Sequence, residues 1–537
     1  MWTAKQALSP THELERWLGM LAGRLKLGPA ARSPLLNRLL HKLGVLDRRP
    51  EEWAESPRLG SMRRSGPNYR DAVPPAAPPP GFDGPWPQAP LVDPRFAPPV
   101  LHLDAEERGV HLRYNVSRYV GQLLRLAPGA ALRSLLGRRL APMTDATFSG
   151  IFDRTSLGQF IDPDLDEADR RSFAPYLDGP LDRYARIDLS ATSRSGLPGV
   201  HLAPTVTLVR RGEDGRHGVV AIRIGDRTLD PSHGAAWQLA RYFVLQGAQL
   251  HLVCVVHPLL HFPGDVVNAV TRTLLPRGHV VHRLLEPHME WTLGLHEAVV
   301  HNRRSVLHNS QRELYTPFPA PTEVLHDYVA RGLEGGGGAG ASEQYRFDRP
   351  QLGTHTEYGR YRRDWYEAVL ELTSAVAAQV PPGDVYVERW ADAIRGWLPG
   401  FPGGAEIFRG GRLAESLATY VSSVSVFHTA DHHSYTRIPA DHLPWRLRVP
   451  SPDVEEPREL RLRSLVSAED HFRHLLCRAM FFEPVILSSL HDVEYGFRNP
   501  ALRRAAGEFR AAMRRLDERW SGSTFPRSDE IAASLQY

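Results

Sequence analysis

With 537 residues, 42% of them hydrophobic, the chain is long enough to bury a large core, and 65 basic against 61 acidic residues leave a net charge of only +4. Lys5, Lys26 and Lys42 are the only lysines, so the basic side is an arginine-rich composition of the kind a GC-rich bacterial genome gives; because it is interleaved with acids and forms no positive stripe, nucleic-acid binding is not expected. Two cysteines, Cys254 and Cys477, cannot staple a fold of this size, which sets aside a disulfide framework and fits a reducing, cytoplasmic setting.

The opening residues, MWTAKQALSPTHELERW, carry Glu and His early and lack an apolar stretch, so no secretory signal is expected. Residues 1–70 read as basic amphipathic helices, and the proline-dense run from Pro74 to Pro99 reads as an extended strap, since proline lacks an amide donor and favours polyproline II. This divides the chain into an N-terminal extension, 1–100, and a main domain, 101–537. From Leu101 onward helical periodicity dominates, with one β interlude at about Thr205 to Ile224. The run EGGGGAGASEQ, Glu334 to Gln344, is too rich in glycine to hold a helix and reads as a flexible surface loop. The best apolar run, LHLVCVVHPLLHF, is short and carries three histidines, so no membrane span is expected. The expected fold class is mainly α, with a small β interlude.

Two apolar helices carry the chemistry. WQLARYFVLQGAQLHLVCVVHPLLH ends in His257 and His261, and LATYVSSVSVFHTADHHSY contains His428 and His432. Residues four apart lie one turn above each other on one helix face, so each pair can aim two imidazoles at a point, and two pairs make a four-nitrogen metal site. With 25 histidines in the chain, chance supplies roughly one such spacing, so the motif needs context. His433 competes with His432, but five residues from His428 put it about 140° off the shared face. Such a donor set suits a first-row metal.

The context resembles the lipoxygenase family. Its elements here are Trp237, Ala240-Arg241, His257, His261, His279, Leu284-Leu285 and Pro287-His288, with the LAPTVTLVRRGEDGRHGVVAIRI passage and Asp230-Pro231 upstream. Trp365, Tyr386, Trp390 and the loop Trp397-Leu398-Pro399-Gly400-Phe401-Pro402 follow; FHTADHHSY is similar to the family's SA-x-HAA-x-N-x-x-x-Y, and the closing IAASLQY to IPNSVSI. The resemblance covers roughly residues 100 to 537. No alternating strands of a C2-like sandwich precede it, so a catalytic domain alone is expected.

The resemblance implies a dioxygenase that inserts O2 into polyunsaturated fatty acids, giving conjugated hydroperoxides. A metal-bound hydroxide takes a hydrogen atom from the doubly allylic methylene, with no separate catalytic side chain. The implied ligands are His257, His261, His428, His432 and the α-carboxylate of Tyr537, around one non-haem iron ion, or manganese. Three residues separate His257 from His261, as in the fungal manganese enzymes, where plant and animal members have four; the fourth ligand position is Asn in many members and His in some, and the terminal residue is usually Ile. His251, His279 and His288 are expected to be structural partners or to orient ligand imidazoles, and His471 and His474 to form a polar helix face. Counting eleven from His288 puts the residue that steers oxygen at Val299, beside Ala298. The expected partners are a fatty acid and O2, in a monomer, with contact at a membrane surface left open. A hydroperoxide isomerase and a catalytically silent lipid-binding relative are the alternative functions.

Overall fold

The computed structural model describes residues 125–535, apart from 138, 277, 290–315, 334–346, 348–349, 351, 399, 450–461, 484–485 and 487. The N-terminal extension, the glycine-rich run, Ala298, Val299 and Tyr537 therefore lie outside the described residues.

Helix α1 (Asp145–Asp153) starts where the Thr144 hydroxyl accepts the Thr147 N–H. The β interlude is larger than the sequence suggests. Strands β1 (Ile161–Asp162), β2 (Tyr184–Leu189), β3 (Thr205–Arg211), β4 (His217–Ile224) and β5 (Arg227–Leu229) form one antiparallel sheet in sequential order. In β2 only alternate residues, Ala185, Ile187 and Leu189, join the main core. Its charged Arg186 is held by Asp162, Asp166 and Asp169, so a passage that looks solvated is tied down by ion pairs.

Helix α2 (Gly234–His251) follows a short 3-10 turn, Pro231–His233, closed by a reciprocal cap: the Asp230 side chain accepts the Ser232 N–H, the His233 ring accepts the Asp230 N–H, and Pro231 opens the turn. Trp237 and Arg241 both donate to Asp145, at 2.8 and 2.7 Å, and fasten α2 to α1. The backbone continues through a π turn, Leu252–Val256, into α3 (His257–Leu274). The run Pro231–Asn268 is long and apolar enough to cross a membrane by length and composition, and 94% of its most apolar window is buried inside the protein. Gln246 and Gln249, which break the run on paper, are interior residues, Gln246 donating to the Trp445 carbonyl.

Further helices are α4 (Val280–Leu285), α5 (Thr322–Leu333), α6 (Glu357–Ala377), α7 (Val385–Trp397) and α8 (Arg412–Ser422). A second π turn, Ser423–Phe427, joins α8 to α9 (His428–Arg437). Then α10 (Ala468–Cys477) runs into a third, Arg478–Phe482, and α11 (Pro500–Arg519) follows. One core packs the sheet, α2 and the first π turn; the other packs α6, α7, α8 and α11 around Trp365 and Trp390. α3 and α9 pass from one core to the other, so both histidine pairs sit at the junction. Gly264 lets α3 approach closely: a Cβ there would meet Val424 at 3.1 Å.

Near its end the chain turns inward. Ile531, Ala532, Ala533, Ser534 and Leu535 are all buried, and the Ala532 N–H donates to Thr429, the residue after His428.

Candidate metal centre

Pro258 explains the first π turn. Proline cannot donate to the carbonyl four residues back and its ring crowds that oxygen, so the helix widens just before it, with the His257 N–H reaching Leu252. In the second, the Ser425 hydroxyl bonds the Val421 carbonyl at 2.5 Å and competes with the ladder. Each histidine pair then follows on regular helix at four-residue spacing.

The pairs converge. Each of His257, His261, His428 and His432 offers a ligand atom, and these atoms lie within 4.8 Å of one another. His261 Nε2 is 2.9 Å from both His257 Nε2 and His428 Nε2. Three ring nitrogens cannot all share protons at that distance, whereas neighbouring donors on an octahedral ion, with bonds of about 2.1 Å, stand about 3.0 Å apart. The donor set therefore fits a metal ion. His432 enters the cluster and His433 does not.

The other ring nitrogens face outward. His432 Nδ1 lies 3.2 Å from the Phe482 carbonyl; a carbonyl only accepts, so the proton sits on Nδ1 and the lone pair on Nε2. His257 Nδ1 lies 3.6 Å from Asp431 Oδ2, and the Tyr358 hydroxyl donates to Asp431 Oδ1 at 3.2 Å. The Phe482 ring packs 5.4 Å from His432 and 6.4 Å from His257. Asp431, Tyr358 and Phe482 were not singled out in the sequence; the one signal was an isolated Asp inside a buried histidine helix.

The remaining histidines have other partners. His251 meets Thr192 and Tyr328, and His279 caps α4 while facing Asp384 at 3.5 Å. His288 Nδ1 donates to the Ala533 carbonyl at 2.6 Å and Nε2 accepts from Tyr495, so this residue clamps the tail. Burial pushes its imidazole down to about 4. His471 and His474 correct an expectation: they are buried, not a solvated face, and His471 meets the Ser134 hydroxyl at 3.1 Å. Burial lowers His471 to about 4 and His474 well below the usual range. The helix 125–136 covers that face of α10, and the periodicity of α10 alone could not reveal it.

On the His433 side of α9 lies a cavity of about 540 Å³, lined by the apolar Leu126, Ala130, Leu475 and Ile486 and by charged groups of both signs, Arg133, Arg437 and Arg478 with Glu483 and Glu530; none of the four clustered histidines lines it. The partly buried Arg478 guanidinium donates to the Ile438 carbonyl and lies over the Tyr435 ring, with no carboxylate of the described residues within 4.0 Å. Burial and the nearby Arg437 hold His433 at about 3, so it is neutral.

No protein-family model matches the chain, and no curated protein matches it in sequence. Solved structures do. A manganese lipoxygenase is 17% identical with a TM-score of 0.61, over 82% of this chain and 93% of that one. The manganese lipoxygenase of Gaeumannomyces graminis is 15% identical with a TM-score of 0.62, over 80% and 92%. Coral 8R-lipoxygenase is 14% identical with a TM-score of 0.60, over 80% and 75%. Identities this low speak for the fold alone, and the sequence resemblance and the architecture agree on it: the chain has the fold of the lipoxygenase catalytic domain.

Proposed function

We propose that the protein is a non-haem metal dioxygenase that inserts O2 into polyunsaturated fatty acids to give conjugated hydroperoxides. The observation that carries this reading is the meeting of four imidazoles at the junction of two cores, within a lipoxygenase fold. His257, His261, His428 and His432 would hold one ion, iron or manganese. When bound, such an ion supplies the one-electron chemistry that a doubly allylic C–H bond requires.

The protein's residues do the rest. Two helices crossing at Gly264 fix the donors on rigid backbone, and the Phe482 carbonyl sets the tautomer of His432. The Phe482 ring and the apolar residues of the first π turn keep water from the cluster. The cavity on the His433 side of α9 offers Leu126, Ala130, Leu475 and Ile486 for an acyl chain and the Arg478 guanidinium for its carboxylate, with Glu483 and Glu530 also on its wall. A solved relative of the same fold is in complex with arachidonate, which supports a fatty acid of this class.

The test is direct. Metal-replete protein given linoleic or arachidonic acid in air should form a conjugated diene with oxygen consumed in step. Diene without oxygen uptake would make the protein an isomerase, and neither signal would make it a silent lipid-binding relative.

A further inference from the structure

The four imidazoles are neutral donors, so none of them offsets the charge of a di- or trivalent cation. Asp431 brings a carboxylate next to them. It is 3% exposed and precedes His432 on α9, so it projects beside the cluster, and it is not one of the four convergent residues. Its Oδ1 accepts the Tyr358 hydroxyl, whereas Oδ2, also buried, has no hydrogen-bond partner and stands 3.6 Å from His257 Nδ1. On its opposite side the same His257 ring presents Nε2 to His261 Nε2 at 2.9 Å.

We infer that Asp431 is a positioning residue that holds His257 as the Nδ1–H tautomer and so commits its Nε2 lone pair to the metal; this rests on the metal reading above. A separation of 3.6 Å is longer than a hydrogen bond, so the carboxylate acts on the ring through its charge. A proton on Nδ1 faces the buried anion favourably, while the other tautomer would set a lone pair against Oδ2, leaving the Tyr358 hydroxyl on Oδ1 as the carboxylate's one hydrogen-bond donor among the described residues. Tyr358 fixes the carboxylate in turn: burial and the Asp431 charge keep its hydroxyl well above the usual range, so it remains a donor. The Arg362 guanidinium, 5.3 Å from the Tyr358 ring and 4.3 Å from that of Phe427, packs this layer behind the ligands. A carboxylate behind a ligating imidazole also raises its basicity, so the ion would be held more tightly and be richer in electrons.

The experiment titrates the metal-free full chain with Mn²⁺ alone, reading affinity by chelator competition and the ion's environment by electron paramagnetic resonance. Asp431→Asn should bind about 10–100-fold more weakly, with an altered spectrum, while the metal-free variant melts no lower than wild type because a buried charge has gone. Tyr358→Phe should show a smaller loss. Asp431→Glu and Asp431→Gln, equal in length and different in charge, keep the comparison open if Asp431→Asn folds poorly: Glu should bind more tightly than Gln. Equal affinity within either pair, Asp against Asn or Glu against Gln, overturns the role of Asp431 while leaving the metal centre standing. Wild-type protein that takes up no Mn²⁺ or Fe²⁺ overturns the metal reading and this inference together.

Discussion

His432 and His433 are neighbours in sequence, and the helix gives them different surroundings. One residue step turns the side chain by about 100°, so His432 joins the four-nitrogen cluster while His433 lines the cavity on its own side of α9. That choice was legible because four-residue spacing is a property of the helix itself. Asp431 was not, because spacing rules for one pair of rings say nothing about which side chain of a second helix approaches from behind. Arg478 was equally hidden: that no carboxylate of the described residues comes within 4.0 Å of its guanidinium is a fact of tertiary packing. If its guanidinium receives the fatty-acid carboxylate, Arg478→Leu should raise KM for linoleate by about tenfold or more, the worth of one charge-assisted hydrogen bond, and leave kcat within about twofold. Linoleate methyl ester supplies the control, since it should be poor for both proteins and should not distinguish them. An unchanged KM for the free acid would remove Arg478 from the substrate site.

At the scale of elements, the informative features are the π turns. Regular helix is the expectation around His257 and His261, because four-residue spacing does not need a wide turn to bring two rings to one face. The structure keeps that spacing on regular helix and puts a wide turn immediately upstream of each pair. Each turn inserts a residue without ending the helix and so sets the rotational phase of everything after it. Pro258 was the visible cause of the first, but a proline near a helix start is ordinary, so its effect on phase could not be read. Strand β2 escaped for a related reason, since the acids that partner Arg186 come from elsewhere in the chain. Deleting Val255 should convert the first π turn to α, leaving α2 and α3 helical but rotating His257 and His261 by about 100° and shifting them by about 1.5 Å. The variant should keep its far-ultraviolet circular dichroism and lose most bound metal by elemental analysis. Full metal stoichiometry would mean that the turn does not set the phase of the pair.

Across the whole molecule, buried polar residues tie separate elements of one core together, and their charge state matters. His288 is the clearest: it lies in α-rich core, its ring Nδ1 donates to the Ala533 carbonyl, and the Tyr420 hydroxyl donates to its backbone carbonyl, so tail, α8 and the segment after α4 meet at one residue. The PH dipeptide made the residue conspicuous in sequence, but only the path of the tail shows what it holds. Because burial lowers this imidazole to about 4, against about 6.5 in an unfolded chain, the unfolded state binds the proton more readily. Stability is therefore fully present above about pH 6.5, declines as pH falls below it, and has lost the whole contribution once pH passes about 4, a cost of about 3 kcal/mol to the folded state. His288→Asn can still donate to the Ala533 carbonyl through its amide and cannot take a proton. Denaturation midpoints at pH 7.5 and 5 should accordingly fall further for wild type than for His288→Asn, even if the variant is weaker at pH 7.5 for want of the ring. Comparing the same two pH values in the metal-free proteins separates this effect from release of the ion. Equal declines in the two metal-free proteins would show that acid sensitivity resides in other buried groups, His471 and His474 first among them.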